Sequence, residues 1–404
     1  MQKDILAMTA THDLPRDPPR GGPGILALCM LIPALIAMIV LAIAPGLLDL
    51  ARVFGTSQAQ LIQTLPMLLM IVGAGCAGLI AERLGRRTTL ILFMIAYALG
   101  GGVGYVVDTL APMLVGRAIL GFSAGVLMTT AYGLVGEYYE GQARERILGF
   151  MSMTGSLAAV LMLALGGQLV EAFGWRAPFL LYLISAVLIP LAIGVGGRTA
   201  VKRREQGPSW GPVFAIWPIY VLLTAYTIGV FMMAIQGAFL LESHGVTASS
   251  TIGTLLAVSS LFGALGGFCY GFMRRWLDFG GMFVWISATM GGGLVLAVWA
   301  PNNAWFVLAS FVTGLGMGVV EATIASEIIK RVPEPSHDRA LGLNVVAMFL
   351  GPFLNPWVVA PLVALGGIGF AVSLIGGAYL VAGGGFLLVG IRRSQRRAAA
   401  PELR

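Results

Sequence analysis

Two ionisable residues, Arg117 and Glu321, fall inside long apolar stretches, where a charge is costly unless it has a partner or a function. A carboxylate in apolar surroundings holds its proton more tightly than in water, so Glu321 could carry protons. It also lies about three helical turns from Lys330, which leaves a salt bridge at the helix end as the alternative. Arg117 stands near the start of its stretch. It could face the protein interior or extend its flexible stem toward the nearer membrane surface.

A second group of charges, between Glu82 and Arg87, separates two apolar stretches at 59–80 and 88–107. Each stretch has about the 20 residues needed to cross the hydrocarbon core of a bilayer. The charged group is therefore expected to form a short turn at one face of a membrane. Its pattern of glycines and charges consists of Gly78, Glu82, Arg83, Gly85, Arg86 and Arg87.

The composition shows what kind of protein must position these residues. The 404 residues are 58% hydrophobic and only 11% charged, whereas ordinary soluble proteins have about 25% charged residues. The chain is therefore expected to be a multi-span membrane protein. It has neither a phosphate-binding loop nor a catalytic cluster, and its histidines are far apart, so we predict no enzyme, no cofactor and no metal site. Transport work would draw on an ion gradient, and the proton gradient is the expected source.

The hydropathy pattern predicts an all-α membrane protein with twelve transmembrane helices in two pseudosymmetric six-helix bundles. Repeated features support the duplication, because Gly73-Ala74 recurs as Gly263-Ala264, and the pair Gly121 and Gly125 recurs as Gly314 and Gly318. Such paired halves are typical of transporters with a site between them. The predicted spans are 24–50, 59–80, 88–107, 111–136, 147–167, 177–197, 213–241, 252–273, 281–300, 305–329, 341–366 and 369–391.

The basic residues predict the orientation of these spans. Nearly all lie in alternate loops or at the termini, and positive charge accumulates on the cytoplasmic side of spanning segments. Both termini are therefore expected in the cytoplasm. The positive net charge reflects topology rather than nucleic-acid binding. The predicted units are a cytoplasmic arm (1–23), a first bundle (24–197), a basic linker (198–212), a second bundle (213–391) and a basic tail (392–404).

The glycine and charge pattern from Gly78 to Arg87 resembles the loop between the second and third helices of the major facilitator superfamily, in which Asp is usual where Glu82 stands. Arg117-x-x-x-Gly121-x-x-x-Gly125 resembles the family's fourth-helix motif. The resemblance covers nearly the whole chain and is strongest to the twelve-helix drug:proton antiporter branch. That branch often ends its fifth helix in Gly-Pro-x-x-Gly-Gly, of which only the final glycines, Gly166 and Gly167, occur here.

The resemblance implies roles for the charged residues. Glu82 and its neighbours, Gly78, Arg83, Gly85, Arg86 and Arg87, would form a conformational latch. In it the Glu82 carboxylate faces the N-terminal end of the eleventh helix while the cytoplasmic side is closed. Arg83, Arg86 and Arg87 would either position Glu82 or pair with Glu137 and Glu145. Glu137 and Arg144 would form a cytoplasmic gate pair. Arg117 would couple proton movement to transport or bind an anionic part of the substrate.

Polar residues on the helices that line the family's central cavity are candidates for substrate contact, although each could equally pack inside a bundle. A cavity poor in charge and rich in Met and aromatic residues suits a lipophilic or amphipathic solute. These candidates are Tyr132, Tyr226, Gln236, Asn344 and Asn355.

We therefore expect a secondary transporter that couples protons to the efflux of a small amphipathic or lipophilic compound. The alternative is proton-coupled or facilitated uptake of a small metabolite by the same fold. The expected partners are the small-molecule substrate, protons and the lipid bilayer. We expect a monomer in the cell membrane, the inner membrane if the source is a bacterium.

Overall fold

The computed structural model describes residues 22–195 and 210–398, with side chains up to residue 391. The predicted arm (1–23) and linker (198–212) lie mostly outside these ranges, as does the end of the predicted tail (392–404). All regular secondary structure in the described ranges is helical. The predicted all-α fold class is therefore confirmed.

Six helices form the first half of the chain. They are α1 Pro23–Phe54, α2 Thr56–Leu84, α3 Arg86–Val106, α4 Leu110–Tyr138, α5 Gly141–Phe173 and the shorter α6 Ala177–Ile193. α5 begins and ends about two turns beyond the predicted span at 147–167. Its polar first turns therefore belong to the helix rather than to a loop.

Six more helices follow after a short helix at Gly211–Ala215. They are α7 Trp217–Ser243, α8 Ser249–Met273, α9 Phe279–Val298, α10 Asn303–Arg331, α11 (337–365) and α12 (368–398). α11 and α12 join at Gly366 and Gly367, where Gly367 has a φ of 80° that favours glycine. The described part of the chain thus contains the twelve predicted segments.

Several of the described helices are interrupted within the bundle, among them α1, α7 and α10. α1 tightens to a short 3-10 turn at Ala44–Gly46, where Pro45 has no N–H to continue the helix. α7 loses its helical geometry at Phe231, and α10 is interrupted by a turn at Gly318 and Val319. Each interruption frees main-chain carbonyls, which must find other donors because the bilayer supplies none.

The repeated glycines mark equivalent helix crossings in the two halves. In the first half, a Cβ on Gly125 would fall on the backbone of Met70, so α4 and α2 pack backbone to backbone. In the second half, a Cβ on Gly318 would fall on the backbone of Gly263, so α10 and α8 do the same. The internal repeat seen in the sequence is therefore a repeat of helix packing.

The two halves meet along two lines, α5 against α8 and α2 against α11. We call the end of the molecule with Glu82, Arg86 and Arg144 the basic end, and the end with Glu171 and Glu242 the opposite end. At the opposite end Gly167 of α5 packs directly on Gly253 of α8. The halves are therefore in close contact there.

Candidate functional site

The predicted latch lies at the basic end. Gly85 joins α2 to α3 with a φ of 79°, so the turn depends on glycine. Glu82, Arg83 and Arg87 are exposed, and within the described residues Glu82 has no hydrogen bond or ion pair. A Cβ on Gly78 would meet nothing within 4 Å. The contact predicted for Glu82 is therefore not made among the described residues in this conformation.

The remaining arginine of the predicted latch, Arg86, is the partner of Glu137. Its Nη1 lies 2.9 Å from Glu137 Oε2, and the two side chains are only 15% and 18% exposed. The contact is an ion pair without an aligned hydrogen bond. Arg86 enters from α3 over Gly133, and its pairing with Glu137 is one of the two arrangements expected for the latch arginines. Within the described residues, Glu137 forms no ion pair with Arg144 in this conformation. The ion pair ties α3 to α4 within the first bundle.

Arg117 is buried in the first bundle, with 1% of its surface exposed, and does not reach toward the membrane surface. Its Nε donates to the Ile62 carbonyl of α2 at 2.8 Å. This carbonyl has no helical donor, because Pro66, four residues later, has no N–H. The first polar contact of Arg117 therefore repairs a helix interrupted by proline.

The other two contacts of Arg117 are made with α1 and α6. Nη2 donates to the Ile39 carbonyl at 2.6 Å, and Nη1 donates to the Tyr182 hydroxyl at 3.0 Å. Ile39 lies one turn before the interruption of α1. The guanidinium thus joins four helices of the first bundle, and none of its hydrogen-bond acceptors is a carboxylate. This arrangement holds the bundle together whether or not Arg117 also takes part in proton coupling.

Glu321 and Tyr132 have exposed surface although both lie deep in the molecule, and since the halves are in contact at the opposite end, we infer a cavity that opens toward the basic end. Glu321 begins the second part of α10, directly after the interruption at Val319, and is exposed although it is deep in the bundle. Tyr132 of α4 is 43% exposed and close enough to interact with the charge of Glu321. The two halves therefore each place a polar side chain in the cavity.

The predicted alternative for Glu321, a salt bridge at the helix end, is not formed. Arg331 instead pairs with Glu327, at 2.7 Å from Nη2 to Oε1. Within the described residues, no cation lies within ion-pair distance of Glu321. The cavity thus contains a carboxylate whose charge is not compensated by a neighbour.

Three amides close the opposite end of the cavity. Gln60 of α2 donates from Nε2 to Oε1 of Gln236 in α7 at 2.9 Å, and Gln236 donates from Nε2 to Oδ1 of Asn355 in α11 at 3.0 Å. All three side chains are buried. Gln236 and Asn355, predicted to line the open cavity, therefore lie in a closed amide chain that crosses between the halves.

Gln63 reinforces this closure one turn further along α2. Its Nε2 donates to the Ala234 carbonyl of α7 at 2.9 Å and to the Val40 carbonyl of α1 at 3.2 Å. Our sequence analysis missed both Gln60 and Gln63. The signal was available, since two amides three residues apart share one face of a helix and are unusual in an apolar span.

The rim of the opposite end carries two charged contacts between the halves. The Glu171 carboxylate at the end of α5 accepts a hydrogen bond from the Ser250 N–H in the first turn of α8, at 2.9 Å. Arg52 lies 2.7 Å from Asp49 of its own helix and 3.7 Å from Glu242 of α7. The second contact is exposed and long, so it adds little stability.

The two remaining cavity candidates lie elsewhere. Tyr226 is buried inside the second bundle, where its hydroxyl bonds to Ser287 of α9 and its ring packs on Phe283 and Tyr379. The expectation that it lines the cavity is therefore wrong for this conformation. Asn344 is buried in α11, and its Oδ1 has no hydrogen-bond partner within the described residues.

Two six-helix halves that are in contact at one end and leave polar side chains accessible toward the other are typical of membrane transporters built from paired halves. Residues 26–356 match the model of the Major Facilitator Superfamily, and the chain belongs to this family. Its fold is similar to that of the xylose transporter XylE of E. coli in the inward open conformation. The TM-score is 0.70 at 14% identity, covering 90% of this chain and 95% of that one.

Relatives with different named functions match the sequence. The multidrug efflux protein YfmO of Bacillus subtilis (strain 168) is 23% identical over 71% of this chain and 72% of its own length. NiaP of the same organism, a candidate niacin/nicotinamide transporter, is 30% identical over 29% of each chain. Multidrug transporter MdtP, also from this organism, is 28% identical over 33% of this chain. The chain spans about a quarter to a third of the lengths of NiaP and MdtP.

Proposed function

We propose that this transporter couples proton movement to the efflux of a small amphipathic or lipophilic compound. The observation that carries the proposal is the uncompensated Glu321 carboxylate in the cavity, within range of Tyr132. A carboxylate without a cation partner can alternate between a proton and a substrate group as the cavity changes its exposure. The chain is only 11% charged, and a cavity poor in charge suits an amphipathic solute. The efflux function named for YfmO supports the direction.

The proposed cycle uses carboxylates at the two ends of the molecule in turn. In the conformation described, Glu171 is bonded to the first turn of α8, and Glu82 is free. When the basic end closes, Glu82 would approach the N-terminal turn of α11, where the helix dipole favours an anion. Glu171 and Ser250 would separate as the opposite end opens. We assign the basic end to the cytoplasm because positive charge collects there. The protein would then sit in the inner membrane of its bacterial source with both termini inside.

Resistance profiling tests the direction of transport. Cells that overproduce the protein should tolerate amphipathic toxic compounds better than cells with an empty vector, and Glu321→Gln should remove the advantage. Glu334→Gln, an exposed acid at the basic end, serves as the matched control and should keep it. Unchanged tolerance to every compound, together with loss of growth on one nutrient in a deletion strain, would contradict efflux.

Uptake of a small metabolite is the second candidate, and the match to NiaP favours it. The two directions differ in the sign of the proton movement. In vesicles with the cytoplasmic face outside, adding an exported substrate to an energised preparation should discharge the proton gradient by exchange. An uptake system working by symport would move protons together with its substrate, so the same addition would acidify the compartment that receives the substrate.

A further inference from the structure

A groove of about 360 Å³ lies between α2 and α11 near the opposite end, outside the cavity that contains Glu321. One wall, on α2, is polar and includes Ser57, Gln58 and Gln60. The other wall, on α11, is apolar and includes Trp357, Ala360 and Pro361. Each half of the transporter thus supplies one wall of the groove.

The chemistry of the walls defines the ligand. None of the residues that line the groove is ionisable, so a charged ligand would lose its hydration without gaining a counter-ion. The volume falls in the range of about 300–1,000 Å³ that holds a drug-sized molecule. An uncharged amphiphile would place its apolar part on Trp357 and its polar group against the amides of α2.

The main chain of α11 adds an acceptor to the apolar wall. Pro361 has no N–H, so the Trp357 carbonyl, four residues earlier, lacks its helical hydrogen bond. Trp357 and Pro361 both line the groove and are one turn apart, so the free carbonyl lies on that face of α11. A ligand with a hydroxyl or amide N–H could donate to it.

The groove is accessible from the surrounding membrane. Trp357 is 64% exposed, and Ala360 and Pro361 beside it are exposed as well. Tryptophan is enriched where hydrocarbon meets the polar interface, and the groove lies at the end of the spans. A single-chain amphiphile dissolved in the adjoining leaflet can therefore reach the groove sideways.

We propose that this groove is a second ligand site, which binds an uncharged single-chain amphiphile with a hydrogen-bond donor and holds the opposite end closed. Gln60 belongs both to the groove and to the amide chain that joins the halves. When the opposite end opens, α2 and α11 must separate and the site is divided. A ligand that binds only the closed form shifts the population toward it. Such a ligand would inhibit transport without occupying the central cavity.

The site can be tested by contact quenching of Trp357 in lipid nanodiscs with 2-bromoundecanol (called bromoundecanol below), a neutral alcohol whose quenching bromine lies on the carbon next to the one that bears the hydroxyl. The wild-type protein should show a saturable quenching component that Trp357→Phe lacks. Ala360→Phe should abolish that component by filling the groove. Ala364→Phe, an exposed position one turn further along the same helix, should retain it.

The hydrogen bond is tested with bromoundecyl methyl ether, which has the same chain without the donor. Its half-saturation should require about three- to tenfold more compound, the ratio expected for one net hydrogen bond. Quenching that rises linearly without saturation, or that is the same in Ala360→Phe and the wild type, would show simple partition into lipid and overturn the proposal. Equal half-saturation of alcohol and ether would overturn the role of the carbonyl.

The conformational effect needs a separate measurement, which does not depend on the direction or substrate of transport. A cysteine introduced at Glu82 is exposed in the conformation described and becomes protected if the basic end closes. Bromoundecanol should increase its labelling rate in the cysteine variant and leave the rate unchanged when Ala360→Phe is added. A decreased labelling rate would contradict stabilisation of this conformation.

Discussion

The Glu171 carboxylate of the first half accepts a hydrogen bond from the Ser250 N–H of the second half, at 2.9 Å. The acceptor lies at the C-terminal end of α5 and the donor in the N-terminal turn of α8. The proposed latch at the basic end has the same design, with Glu82 at the C-terminal end of α2 and the N-terminal turn of α11 as its target. The first contact is made and the second is open, as expected for two latches that alternate.

Glu171→Gln should make the opposite end open more readily, because a neutral amide is a weaker acceptor and does not interact with the helix dipole. The population should shift away from the conformation described, and labelling of a cysteine at Glu82 should slow. Glu242→Gln is the matched control, since the ion pair of Glu242 with Arg52 is exposed and 3.7 Å long. If both variants shift the population equally, the rim charge in general is responsible rather than the bond to Ser250.

Glu82→Gln should slow turnover while leaving substrate affinity and thermal stability unchanged. Among the described residues the Glu82 carboxylate has no partner, so the substitution should not destabilise the conformation described. It should destabilise the conformation that is closed at the basic end, because that conformation would lose the proposed latch. The measurement is kcat and KM in proteoliposomes, with thermal unfolding in parallel. Glu140→Gln, another exposed acid at the basic end, should behave as the wild type. A rise in KM with unchanged kcat would exclude the latch.

Arg117→Ala should destabilise the protein, because it leaves buried carbonyls of α1 and α2 without donors. Each unsatisfied group costs about 1–3 kcal/mol, so a loss of several kcal/mol in the free energy of unfolding is expected. Arg117→Lys should recover only part of the lost free energy of unfolding. Its ammonium group can still donate hydrogen bonds, but it cannot reach all three acceptors of the guanidinium. Thermal unfolding in detergent, followed by tryptophan fluorescence, measures the loss.

Pro66→Ala provides an independent check on this role. An alanine at this position supplies the N–H that the Ile62 carbonyl lacks. The cost of Arg117→Ala should therefore be smaller in the Pro66→Ala background, by about one hydrogen bond, or 0.5–1.5 kcal/mol. Strictly additive effects would show that the two residues do not share the carbonyl.

Gly318→Ala should prevent correct packing of α10 on α8, because its Cβ would fall on the backbone of Gly263. Backbone cannot yield as a flexible side chain can, so we expect poor expression or a Tm lower by many degrees. Gly292→Ala is the matched control in a neighbouring helix, where an added Cβ meets nothing within 4 Å. It should be neutral or slightly stabilising, since alanine favours the helix. A folded Gly318→Ala protein with an unchanged Tm would contradict the close crossing.

Much of the fold could be predicted from the sequence, because hydropathy defines the spans and the repeated glycines define equivalent crossings. The pairings of individual side chains were harder to predict. Tyr226 was expected in the cavity, but composition does not reveal which way a residue faces on a helix that is apolar all round. The partner of Arg117 is a carbonyl freed by Pro66 on another helix, a relationship visible only once α2 and α4 are placed side by side.

The first bundle contains a full positive charge at Arg117 with no acidic residue among its hydrogen-bond partners. Because the guanidinium is fixed to four helices, it must move with them when the bundle rocks. Displacing one elementary charge through a membrane potential of 100 mV involves about 2.3 kcal/mol. Any component of the motion along the membrane normal therefore makes the balance between the two states sensitive to voltage. The potential across the membrane, and not only its pH difference, would then set how fast the protein cycles.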